Sequence, residues 1–180
     1  MRLVEGLPHV EDVGAFVTRL DEIGDREDCT VQAFDARYVV DRAHLERALE
    51  RADRAIERGE NVARNRGVEV LLYAAGRRQI DDALTMGVHE GDLPVVVLVD
   101  AEERTPPDRH DAPADRDDDA RERRAASAVA DLLDPADALG AFDADAVRDF
   151  FDVSQRELDA TAGDLADVVH ERVALLDVEK

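Results

Sequence analysis

Apolar and polar positions fall along the chain in blocks that predict a mix of helices and strands. MRLVEGLPH reads as a short strand stopped by Pro8. Val10, Val13, Phe16, Val17, Leu20 and Ile23 then recur at helical spacing, with Gly24 as the stop. Thr30 to Val40 (TVQAFDARYVV) is β-branched and aromatic, and reads as one or two strands. Leu45, Ala48, Leu49, Ala52 and Ile56 form one apolar stripe between a candidate N-cap, Asp41, and a candidate stop, Gly59. Val62 to Ala75 is apolar nearly all round, as a buried helix is, and Gly76 ends it. Ile80, Ala83, Leu84 and Val88 share one side of a further predicted helix. LPVVVLVD (Leu93 to Asp100) is a continuous apolar run of strand length, expected at the centre of a sheet.

The pattern then breaks. Ala101 to Arg124 contains no Val, Leu, Ile or Phe, is interrupted by proline and is dense in charge. It reads as an acidic, disordered or solvated loop inserted in the domain. Beyond it, two short helical stretches are expected to end at Leu133 and Phe151. Ser154 and Glu157 have the spacing of a capping box, and Leu165, Val168, Val169, Val173 and Leu176 mark a C-terminal helix. The expectation is α/β: a single domain over 1–180, with a small mixed or antiparallel sheet packed with several helices.

Composition sharpens this. A chain of 180 residues buries a real core without disulfides or a metal, and Cys29 is the one cysteine. No secretory leader is read at the N-terminus, and no apolar run reaches the ~20 residues of a membrane helix. A cytoplasmic location is expected. Acids number 44 against 23 lysines and arginines, for a net charge of -21, and Lys180 is the one lysine. Adaptation to a salt-rich cytoplasm accounts for this, because at about 1 M salt the Debye length falls to about 3 Å and a carboxylate shell is tolerated.

Catalytic signatures are missing: no glycine-rich phosphate loop, no HExxH and no GxSxG. His9, His44, His89, His110 and His170 are scattered and read as surface or capping residues. No cofactor and no metal is expected. Local departures from the acidic background are more telling. Arg42 to Ile80 holds nine arginines and six acids, net +3. Arg47, Arg51, Arg54 and Arg58 read as an ordinary salt-bridged helix face, with pairs such as Glu50–Arg54 and Arg54–Glu57. Arg64, Arg66, Arg77 and Arg78 have few acids nearby in sequence. A guanidinium fork suits phosphate, and Asn65 and Gln79 beside these pairs suit base edges or ribose. Gly67 to Gly76 as straight helix would hold the two pairs about 15 Å apart.

Several segments carry a family resemblance: VQAFDARYVVDRAHLERALERADRAIERG, VARNRGVEVLLYAAGRRQIDDAL, VSQRELDAT and ERVALLDV. In order and spacing they resemble the smallest kinase-binding subunit of the KEOPS complex, the family of the animal PRPK-binding protein. The similarity runs from about Thr30 onward, excepting the acidic insert. Its most specific part is the run from Asn65 through Glu69, Leu71, Leu72 and Tyr73 to Gly76, Arg78, Gln79 and Ile80. The resemblance implies an α/β protein without a catalytic centre that binds and activates the complex's small atypical kinase/ATPase. It also implies help in recruiting tRNA through its 3′ CCA end for threonylcarbamoyl-adenosine formation, with other KEOPS subunits contacted indirectly. On that reading Arg64, Asn65, Arg66, Arg77, Arg78 and Gln79 meet RNA. Val173, together with Leu175 and Leu176, which lie within five residues of the end where fraying exposes side chains, meets the kinase. Two rivals stand beside it: an interaction module without RNA contact, and a small enzyme of unknown type.

Overall fold

The computed structural model describes residues 1–101 and 114–176. Four strands form an antiparallel open sheet: β1 (Arg2–Leu7), β2 (Cys29–Asp35), β3 (Val95–Ala101) and the two-residue β4 (Asp134–Pro135), in the order β2-β3-β1-β4. The open alternative between a mixed and an antiparallel sheet thus resolves to antiparallel. The apolar run of β3 is explained by burial on both sides. Val95, Val97 and Val99 point into one core cluster, and Val96 and Leu98 into another.

Helices cover both faces. On one lie α1 (Val13–Glu27) and α5 (Ala114–Ala130). On the other lie α2 (Arg42–Arg58), α3 (Arg66–Ala75) and α8 (Leu165–Leu175). The short α4 (Ile80–Ala83) follows α3, while α6 (Ala144–Phe150) and α7 (Gln155–Ala160) close a third cluster around Val147, Phe151 and Val169.

The helix borders follow capping chemistry. Asp41 accepts the His44 N–H at 2.7 Å to open α2, and Gly59 closes it at φ 67°. Asn65, not Val62, opens α3, its side-chain oxygen accepting from the Val68 N–H at 3.1 Å. Gly76 closes α3 at φ 59°, with its own N–H bonded to the Tyr73 carbonyl and that of Arg77 to the Leu72 carbonyl. Ser154 caps α7 through the Glu157 N–H, but the reciprocal capping box occurs one helix later, between Asp164 and Asp167.

Three expectations need correction. Ala36 to Tyr38 is a 3-10 turn instead of more strand, because Asp35 turns its carboxylate back onto the backbone N–H and guanidinium of Arg37. The helix read over Ile80 to Val88 is only α4 plus a 3-10 turn, Leu84–Met86. Ala83 and Met86 reach the core, while Ile80 and Leu84 are 40% and 50% exposed. The acidic insert is shorter than expected. Ala101 is the last residue of β3, and residues 114–124 are helical; only 102–113 fall outside the described residues. Charge there bolts the fold: buried Arg121 binds Asp28 at 2.9 Å and Asp118, and Glu122 accepts the Ala101 N–H at 3.2 Å.

Candidate RNA and partner interface

The site grows from α3 and the turns at its two ends. Before it, the stretch from Asn61 to Asn65 is held in place from within. Buried Glu69, in the first turn of α3, reaches back so that one carboxylate oxygen accepts the N–H groups of Val62 (3.0 Å) and Ala63 (2.7 Å). Asn61 donates to the Ala63 carbonyl at 2.7 Å. Arg64 leaves this clasped turn exposed, with no ion pair among the described residues.

Arg66 turns the other way. Its Nε and Nη2 grip both oxygens of Asp53 at 2.6 and 2.8 Å; Nη2 also reaches Asp100 at 2.6 Å, and Nη1 reaches Thr30 Oγ1 at 3.0 Å. Burial opposes its charge, but the bonds from Asp53 and Asp100 outweigh that and hold its pKa above the ordinary arginine value. The few acids near Arg66 in sequence were misleading, because its acids arrive from 13 and 34 residues away.

Past α3, Arg77 donates to the Phe150 carbonyl, and its guanidinium lies 5.1 Å from the centre of the Phe150 ring. Asp152 is 4.0 Å away and well exposed, a weak counter-charge. Arg78 donates to the Leu176 carbonyl at 2.6 Å. Gln79 is exposed at the start of α4 and makes no capping bond there. Tyr73 is core. The four arginines are therefore not equivalent: Arg66 is neutralised by two carboxylates, whereas among the described residues Arg64, Arg77 and Arg78 have no such pair.

Two kinds of residue escaped the sequence reading. Ile80 and Leu84 pass for core on spacing alone, yet the shortness of α4 leaves them as apolar surface beside Gln79 and Asn65. Arg47, Arg54 and Arg58 pass for salt-bridged residues, but Glu50–Arg54 and Arg54–Glu57 pairs do not form. Among the described residues these three arginines are exposed and hold no ion pair, while Arg42 binds Glu46 at 2.7 Å.

The expected partner residues at the end of α8 also divide. Val173 is fully buried and Leu176 is 7% exposed, both within the main core. Leu175 alone of the three is presented, at 45% exposure. Beside it Ala174 lines a shallow groove against the α2 residues Glu46, Arg47, Glu50 and Arg51.

Titratable groups of unusual pKa lie apart. His44 sits inside the core, contrary to a surface reading, with Nε2 2.8 Å from the Ala74 carbonyl, and burial pushes it down to about 4. Burial pushes the Cys29 thiol up to about 11, so it stays protonated. Among the described residues no group of three or more His, Cys, Asp or Glu is placed to hold a metal.

No curated protein matches the chain. The family model of the kinase binding protein CGI-121 matches residues 9–177, which takes in both arginine-bearing turns and all of α8. With a match of that extent, the chain belongs to the CGI-121 family of kinase-binding proteins.

Proposed function

We propose that this chain is a non-catalytic regulatory subunit of a KEOPS-type complex, binding its kinase/ATPase subunit and helping to bring tRNA to it by the 3′ CCA end. The observation that carries the RNA half is the pairing of uncompensated guanidinium groups with apolar surface. Among the described residues Arg64, Arg77 and Arg78 have no strong acid partner, on a chain of net charge -21. Exposed Ile80 and Leu84 lie beside Asn65 and Gln79. A single-stranded end needs both: cations for the backbone and flat or apolar surface for unstacked bases. Arg66 belongs to the frame, not the contact. The exposed stripe of Arg47, Arg54 and Arg58 offers further phosphate contacts to the body of the RNA.

For the kinase half, exposed Leu175 supplies an apolar contact beside a charge-lined groove between Ala174 and the α2 residues Glu46, Arg47, Glu50 and Arg51. Binding of tRNA and of tRNA lacking its CCA end tests the whole reading. The intact molecule should bind at least tenfold more tightly, and Arg77→Glu should erase most of the difference while thermal unfolding is little changed. Equal affinity for the two RNAs, with the kinase still bound, would leave a pure protein-interaction module.

A further inference from the structure

Between α1 and α3 lies a cleft of about 250 Å³ that shares only its rim, Asn65 and Leu84, with the proposed RNA surface. Its floor is the outer edge of β2, the terminal strand of the sheet. Val17 and Leu20 wall one side, and Val68, Leu84 and Val88 wall the other. In an antiparallel pair, alternate residues point their N–H and C=O away from the neighbouring strand. The Ala33 carbonyl on β2 accepts from the Nε2 of its own neighbour Gln32 at 2.9 Å, a side chain standing in for a missing strand. Gln32 is free to fold in this way because Gly67 faces it; a Cβ there would sit 3.0 Å from its Oε1. Val31, two residues back in the alternation, is half-buried on the cleft floor and has no such stand-in among the described residues.

The rim carries charge. Asp21 and Asp25, one turn apart on α1, line the cleft without an ion pair among the described residues. Burial, together with the charge of Asp25, raises the pKa of Asp21, a carboxylate short of a cation. A second copy of this chain, at net charge -21, would bring more negative charge to that rim, and so would RNA phosphates.

We propose that the β2 edge at Val31 docks a short extended segment of a partner protein that carries an arginine or lysine among apolar residues. Its main chain pairs with Val31. Because side chains alternate across a strand, an apolar residue falls toward Val68 and Leu84 while the next, basic, residue falls toward Asp21 and Asp25.

A capped seven-residue peptide of alternating valine and threonine with arginine at its centre, added to the full chain, provides the test. The expected result is slowed exchange and a shifted resonance at the Val31 amide. Binding should be about tenfold tighter than for the same peptide with glutamate at the centre, and the preference should vanish in Asp21→Asn/Asp25→Asn. Equal binding of the two peptides, an unchanged Val31 amide, or displacement of the peptide by an RNA oligonucleotide ending in CCA would overturn the proposal. The last outcome would give the cleft to a nucleotide.

Discussion

Arg78 donates from Nη2 to the carbonyl oxygen of Leu176, 2.6 Å away, and so ties the residues just after α3 to the end of α8. The guanidinium sits where a helix leaves its last carbonyls unbonded and partly negative, a favourable place for a cation. Its buried Nε has no hydrogen-bond partner among the described residues, so Arg78 is committed to this tether only in part. The candidate RNA and kinase surfaces therefore share a hydrogen bond. Arg78→Ala should speed amide exchange over Val173 to Leu176 about tenfold and cost about 1 kcal/mol of stability. Affinities for tRNA and for the kinase should fall together; loss of RNA binding with unchanged exchange at α8 would separate the two surfaces.

Arg66 should behave in the opposite manner. Arg66→Met leaves Asp53 and Asp100 without their shared cation. The cost is about 2 kcal/mol, below the usual range for a buried pair because Asp53 is 38% exposed. Urea denaturation reads this loss, while tRNA affinity measured on folded protein should change less than twofold.

Stability should fall with acid in a defined window. The folded pKa of His44, about 4, lies below its ordinary 6.5, so the unfolded chain takes up the proton first as pH drops. The contribution is present above pH 6.5 and is lost progressively down to pH 4, amounting to about 3 kcal/mol over that span. Asp41 adds to the same trend at lower pH. Burial alone would raise its pKa, but the bonds from His170 and the His44 backbone hold it below the usual carboxylate value. His44→Gln keeps a donor for the Ala74 carbonyl and removes the titration. Its unfolding free energy should be flatter between pH 6.5 and 4 than that of the parent protein.

Glu69→Leu should cost about 3 kcal/mol, because it strands two backbone N–H groups that the carboxylate satisfies. The turn carrying Arg64 then loses its clasp, and RNA affinity should drop even where the variant is folded. Unchanged affinity at 10 °C would show that Arg64 needs no fixed presentation.

Much of this was legible in the chain before any coordinates. The α2 stripe and its caps Asp41 and Gly59, the Gly76 stop and the buried β3 run all follow from local rules, since a cap or an alternating pattern acts within a few residues. Long-range pairing was not legible. Nothing near Arg66 announces Asp100, and nothing in the charged run Arg121 to Arg124 announces that Arg121 will be buried against Asp28. Ile80 and Leu84 share a helical side with Ala83, and only the early end of α4 decides which of them the core takes. At the chain's end, sequence position suggests that Leu176 is uncovered, whereas the packing of α8 into the main core buries it.

The seating of α1 on β2 has one more implication. Gly24 lies so near the Cys29 carbonyl that a Cβ would stand 2.7 Å from that oxygen. The helix thereby acts as a doorstop at one end of the sheet's open border, while Gln32 shields the Ala33 carbonyl further along. Bare borders of this kind invite chains to stack without limit. Here little of the border is left open, which guards the molecule against growing into fibres.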